Sequence, residues 1–301
     1  MSPTFAPISA GGVGNAKVTS TSGSPTVNNN SRPGKTVYEF NGSGSITIGT
    51  AGYAEIAIIS GGGVGMSNWH GGGGGGGGGV HVDTNYMFAT GTHTITVGAG
   101  GSGPSSPDYT SVSYPGGGWP YYASRPGSLS AIGNTRVFGG GGSRTIGGPQ
   151  PPQISGYQVY GVTNGGGGAG ASIFSLDSNA LLGVGYNGGS TNVNTAGSGG
   201  GGAGGPGNST SGTNTNRVAG NGGEGKTVNI TGVAVTYGGG GGGWGGNNLP
   251  AGGSGGGGNG NYSGGNGNAG AANTGGGGGG ANAPDVSNQV SGGSGKVIVV
   301  V

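Results

Sequence analysis

The sequence predicts an all-β fold with little or no α-helix, in which short antiparallel strands from the start and end of the chain close a glycine-rich sandwich around an array of polyglycine-II helices. Three observations carry that expectation. Ninety-one of the 301 residues are glycine, and the longest run, Gly71 to Gly79, is joined by others at 61–63, 116–118, 139–142, 165–168, 199–202, 238–243, 255–258 and 275–280. Strand-like segments cluster at the two ends of the chain, and no segment shows a convincing helical period. An isolated glycine run is a flexible linker. Repeated runs can instead lie side by side as three-residue-per-turn helices and exchange lateral N–H···O=C bonds at a spacing that a Cβ would block.

Taken in order, residues 1–35 are rich in Ser, Thr, Asn and Pro, with scattered apolar residues such as Phe5, Ile8, Val13 and Val18. They predict an attachment arm that orders by lying on another surface, with a disordered tail as the alternative. Strand signals follow: Val37–Phe40, Ser45–Ile48 after the turn Asn41-Gly42, and Ala54–Ile59. Thr92–Val97 places His93, Ile95 and Val97 on one face, and Thr227–Ile230 with Val233–Tyr237 suggests a further strand pair. The closing Lys296–Val301 is apolar at alternate and intervening positions alike, as expected of a central strand buried on both faces and flanked by the chain's opening strands. Ser172–Leu182 is the one helical candidate, closely flanked by glycine. Residues 36–301 thus form one glycine-rich β/polyglycine-II domain.

A compositional outlier interrupts it at about 104–160. Eight of the fifteen prolines fall there, with eight of the twenty aromatic residues and three of the five arginines. Proline stiffens loops, and Tyr and Trp offer large contact area with a polar handle. Those properties suit a recognition surface, or equally a small core covering the flank of the glycine array.

Chemistry is sparse. Only 5% of residues are charged and the net charge is +2, so no basic patch points to nucleic acid. There is no cysteine, and the seven carboxylates are scattered singly, which leaves no general acid/base pair. His70, His81 and His93 with Asp83 lack the spacing of a metal site, so structural or loop roles are expected. Gly220-Asn-Gly-Gly-Glu-Gly-Lys226-Thr227 formally satisfies the phosphate-loop pattern, but a strand-like stretch follows where a helix is required. No enzyme, cofactor or metal is expected. The N-terminus lacks a signal-peptide pattern, and no apolar run is long enough to cross a bilayer.

Ile59-Ser-Gly-Gly-Gly63, Gly71 to Gly79, Thr94-Ile-Thr-Val-Gly-Ala-Gly-Gly101, Gly139 to Gly142 and Gly292-Gly-Ser-Gly-Lys-Val-Ile-Val299, in that order, resemble the glycine-rich domain of bacteriophage virion proteins over about 36–301. The glycine blocks are also similar to the polyglycine-II distal adhesins of T-even-like phage tail fibres. The resemblance implies a virion surface protein made in the host cytoplasm, foremost a tail-fibre or tail-tip adhesin. Its partners would be other virion proteins through residues 1–35, and a host surface polysaccharide or outer-membrane protein. A homotrimer is compatible with this. Candidate receptor-binding residues are Trp69, His70, Tyr109, Tyr114, Trp119, Tyr121, Tyr122, Arg125 and Trp244, since aromatic rings stack on sugars and Arg pairs with anionic groups. The alternatives are a capsid decoration or tail-accessory protein anchored by the N-terminal arm and, in a third class, an ice-binding protein.

Overall fold

The computed structural model describes residues 14–66, 72–103, 126–143, 185–191, 196–213, 216–262, 265–281 and 289–301, with the backbone alone of 121–123, 144–146 and 171–172. Regular structure among them is entirely β. One five-stranded sheet runs β2 (Thr26–Asn28), β3 (Val37–Phe40), β17 (Lys296–Val300), β5 (Gly52–Ile59), β6 (Val80–Phe88). The other runs β1 (Lys17–Ser22), β4 (Gly44–Thr50), β7 (Gly91–Thr96), β9 (Ser130–Ile132), β10 (Thr135–Val137). All neighbours in both sheets pair antiparallel. Three smaller ladders complete the set: β8 (Tyr121–Ala123) with β11 (Arg144–Ile146) and β12 (Ala171–Ser172), β13 (Ser211–Gly212) with β14 (Arg217–Val218), and β15 (Lys226–Val228) with β16 (Val235–Tyr237).

Alternation sorts the apolar side chains into two cores. Phe40, Ile56, Ile58, Phe88, Val297 and Val299 of the first sheet pack with Ile46, Ile48, Ile95, Ile132 and Val137 of the second. On the first sheet's opposite face, Val37, Ala57, Ile59, Val80, Ile298 and Val300 pack under Ala203, Val228, Ile230 and Tyr237. The expectation for the last strand holds, since β17 lies between β3 and β5 and both its faces are buried.

Residues 14–35 depart from the attachment-arm expectation. Gly14–Ala16 bonds to Tyr53, Ala16 joins the first core, and β1 and β2 add edge strands to the two sheets. An edge strand needs little apolar content because only part of one face meets the core, so a Ser/Thr-rich stretch suffices. The expected insertion is also narrower than 104–160. The hairpin β9–β10 turns at Gly133 (φ +53°) and belongs to the second sheet. The helical candidate Ser172–Leu182 lies outside the described residues beyond Ser172.

A charged clasp fixes the chain before β3. Arg32 Nη1 donates to Glu55 Oε2 at 2.6 Å and to the Ile230 carbonyl at 2.9 Å, while Lys35 Nζ pairs with the other Glu55 oxygen. Burial alone would raise the Glu55 carboxyl, but hydrogen bonds and positive charge from Arg32 and Lys35 outweigh it and hold the pKa below the usual range. Stability from a depressed carboxylate is present above its unfolded pKa of about 4.3 and is lost as pH falls through the lower folded value. Glu55→Gln is therefore expected to cost about 1–3 kcal/mol at pH 7. In denaturant titrations the deficit against wild type should shrink below about pH 4; a deficit independent of pH would contradict the clasp.

The glycine runs form a laterally bonded lattice. From Gly74 to Gly79 successive N–H groups donate to Ser198, Gly278, Gly141, Gly201, Gly275 and Phe138, at 2.7–3.3 Å. The partner run therefore changes at each residue and returns at the third. Carbonyls follow the same rule: Gly73, Gly76 and Gly79 accept from Met66, Gly63 and Ser60, and Gly72 and Gly75 accept from Trp244 and Gly241. Gly72–79 thus has at least five neighbouring runs, and the run at 238–245 repeats the pattern toward 255–261, 220–223 and 72–75. This bonding satisfies a backbone that has no side chains to shield it.

Lattice and sandwich share one chain path. β5 runs on into Ser60–Met66, Gly72–79 leads into β6, β7 continues into 97–103, β10 into 138–143, and 289–295 feeds β17. At the junction Ser60 Oγ donates to the Phe138 and Gly79 carbonyls at 2.5 and 3.2 Å. Ser130 Oγ donates to the Ile59 carbonyl at 2.7 Å and accepts from Gly98 N–H at 2.9 Å. Two buried hydroxyls thus supply partners where ladder bonding gives way to lattice bonding.

Candidate functional site

Because the strands deliver glycine runs to one end of the sandwich, the lattice has a junction end and a far end. The far end is marked by one chain of bonds. Met66 N–H donates to Gly73 (3.0 Å), Trp244 N–H to Gly72 (2.7 Å), Gly197 N–H to Trp244 (2.6 Å), Ala281 N–H to Met66 (2.8 Å) and Val290 N–H to Gly65 (3.0 Å). These residues flank the connections 67–71, 192–195, 245–250 and 282–288. Gly103 and Ser143, at the same level of the lattice beside Gln289 and Val64, flank the two halves of the Pro/aromatic stretch. The opposite pole is the N-terminal one, where Ala16 N–H donates to the Tyr53 carbonyl (2.9 Å) at the start of β5.

Of the sequence candidates, Trp244 belongs to this chain of bonds. Trp69, His70, Tyr109, Tyr114, Trp119 and Arg125 themselves lie outside the described residues. Tyr121 and Tyr122 are in β8, paired with Ile146 and Thr145 of β11. Trp244 is corrected: its ring is buried (8% exposed), because its backbone is locked between Gly72 and Gly197 at the edge of the lattice, and it is not presented to solvent. Among the described residues its indole N–H has no hydrogen-bond partner.

The remaining motifs settle as follows. Gly220–Gly225 is part of the lattice, with Gly220 and Gly223 donating to Gly197 and Gly200, and Lys226-Thr227 opens the β15–β16 hairpin instead of a helix. The helix N-terminus that a phosphate loop depends on is thus absent there. His93 stacks edge-on against Phe88, with centroids 4.9 Å apart, and its Nε2 lies 2.9 Å from the Ala89 carbonyl, a structural role. Asp83 Oδ1 accepts from Asn85 N–H within β6.

The far end also carries exposed apolar residues that sequence patterning passed over. Val218 (37% exposed), Leu249 (60%) and Tyr262 (52%) sit on three connections tied together by backbone bonding. Val218 bridges to Gly246, Asn247 N–H donates to Arg217, Gly245 N–H to Asn261, and Gly260 N–H to Pro250. The sequence signal was an isolated apolar residue inside each Asn-rich bend, with no period to draw attention to it.

No curated protein matches the chain. A family model described as a glycine-rich domain matches residues 39–301, beginning within β3 and ending with the C-terminal residue. The order of elements, with strands opening and closing a body of glycine runs, is what that match spans, and the chain belongs to the glycine-rich domain family.

Proposed function

We propose that this chain is a phage virion surface protein, a tail-fibre or tail-tip adhesin whose glycine runs are polyglycine-II helices holding connecting loops toward a host polysaccharide or outer-membrane protein. The observation that supports this reading most is polarity. Residues 14–16 enter at one pole of the sandwich, and Met66, Trp244, Ala281 and Val290, which border the ends of described runs, are held together by backbone bonds at the other. Attachment through the residues before Gly14 and recognition at the far end are then separated by the length of the domain. A partner run that returns at every third residue is the bonding a three-residue-per-turn helix requires. Such a lattice restrains its loops through many backbone bonds, which lowers the ordering cost of binding. The same polarity would serve a capsid decoration or tail-accessory protein. High copy number on purified particles would favour that role, and a few copies at the tail would favour the adhesin.

Fluorescently labelled protein incubated with a panel of outer-membrane-bearing bacteria is expected to bind a subset of strains. The triple variant Trp119→Ala, Tyr121→Ala, Tyr122→Ala should lose that binding with an unchanged thermal midpoint. Absence of binding across the panel would sink the adhesin reading.

A further inference from the structure

Resting on the adhesin reading, we infer that the connections carrying Val218, Leu249 and Tyr262 form a binding shelf at the far end of the lattice, and that its ligand is a neutral, hydroxyl-rich glycan. Three features lead there. Exposed apolar surface on a soluble domain usually serves recognition when it is grouped. Here three of the ten exposed large apolar residues among the described residues fall on connections joined to one another by backbone bonds at Gly245, Gly246 and Gly260.

The second feature is rigidity. Gly245 (φ +97°) and Gly246 (φ +78°) turn the chain sharply just past the locked Trp244. Neighbouring amides are pinned: Asn248 Oδ1 accepts from Ala219 N–H at 2.8 Å while its Nδ2 donates to the Ala219 carbonyl at 3.1 Å. Asn247 Nδ2 donates to Asn216 Oδ1 at 3.2 Å, and Asn261 Oδ1 accepts from Tyr262 N–H at 2.7 Å. A surface held this way loses little entropy when a ligand arrives.

The third feature is chemistry. Among residues 211–213, 216–218, 245–250 and 261–262, Arg217 is the one charged side chain, and the rest are Gly, Ser, Thr, Asn, Pro, Val, Leu and Tyr. A sugar ring presents an apolar C–H face, which packs on a tyrosine ring or leucine, and a rim of hydroxyls, which exchange hydrogen bonds with amides and hydroxyls. An anionic polymer would need clustered cations, which these segments lack.

The test uses the full-length protein on an array printed with neutral bacterial polysaccharides and with uronate- or phosphate-bearing ones. Expected is retention by neutral glycans, with Kd on the best of them raised at least tenfold by Tyr262→Ala and by Leu249→Ala, much less by Tyr262→Phe, and with thermal midpoints unchanged. Binding only to anionic glycans, or neutral binding that survives both alanine variants, overturns the shelf. Cell binding separates this failure from failure of the broader reading. Wild-type protein that binds bacteria undiminished by Tyr262→Ala and Leu249→Ala, yet is lost in the 119/121/122 variant, rejects the shelf and leaves the adhesin; no cell binding at all rejects both.

Discussion

Gly75→Ala is expected to lower stability by about 3 kcal/mol or more, the combined cost of overpacking and of backbone groups left unpaired. Gly75 donates to Gly278 and accepts from Gly241, both at 2.8 Å, and an ideal Cβ on it would stand 2.3 Å from the Gly63 carbonyl oxygen. That neighbour is backbone fixed by its own bonds, so it cannot rotate away. Gly240→Ala should behave alike, its Cβ meeting the Gly200 oxygen at 2.1 Å. Gly42 is the control, because nothing lies within 4 Å of its Cβ position and it has no left-handed φ. There alanine should be neutral or raise stability by about 0.4–1 kcal/mol through the unfolded chain. Thermal and denaturant midpoints of the three variants check this. Gly75→Ala and Gly240→Ala no less stable than Gly42→Ala would mean the runs are linkers.

Ile298→Ala is expected to cost about 2–5 kcal/mol. The side chain is fully buried in the second core, on the strand that joins both halves of the first sheet. Val299→Ala, one residue on, faces the other core and should also destabilise, by less because fewer methyl groups are removed. Most strands tolerate substitution on one face; β17 should tolerate it on neither. Val235→Ala, at a position 38% exposed, should stay within about 0.5 kcal/mol of wild type. Denaturant unfolding distinguishes the cases, and a mild Ile298→Ala would place β17 at an edge.

Some of this architecture was legible because it is written in side chains. Val37–Phe40, Ala54–Ile59 and Lys296–Val301 are dense in β-branched and aromatic residues, and β3, β5 and β17 follow them closely. β1, β2 and β6 escaped notice because edge strands bury few residues, and Lys17–Ser22 or Val80–Phe88 read as polar segments. β9 and β10 were hidden by being only three residues each, inside a stretch whose prolines and aromatics suggested an insertion. The candidate site divides the same way. Trp244 was picked for its ring, but burial depends on where Gly72 and Gly197 lie, and nothing local to 244 reports that.

By itself the sequence determined the class of the molecule: β-branched patterns at both ends impose strands, and glycine in unbroken runs allows chains to approach to within backbone bonding distance while offering no side chains there to build a core. It also determined that the longest run, Gly71 to Gly79, would be central. Only the tertiary structure decided which runs are neighbours and where the loops gather. Glycine runs are chemically interchangeable, so no residue within them encodes a partner. For 60–66, 72–79, 97–103, 138–143 and 289–295 the choice is made by the sandwich, whose strands fix the point and direction at which each of these runs meets the lattice, and that common junction puts Met66, Trp244, Ala281 and Val290 together at the far end.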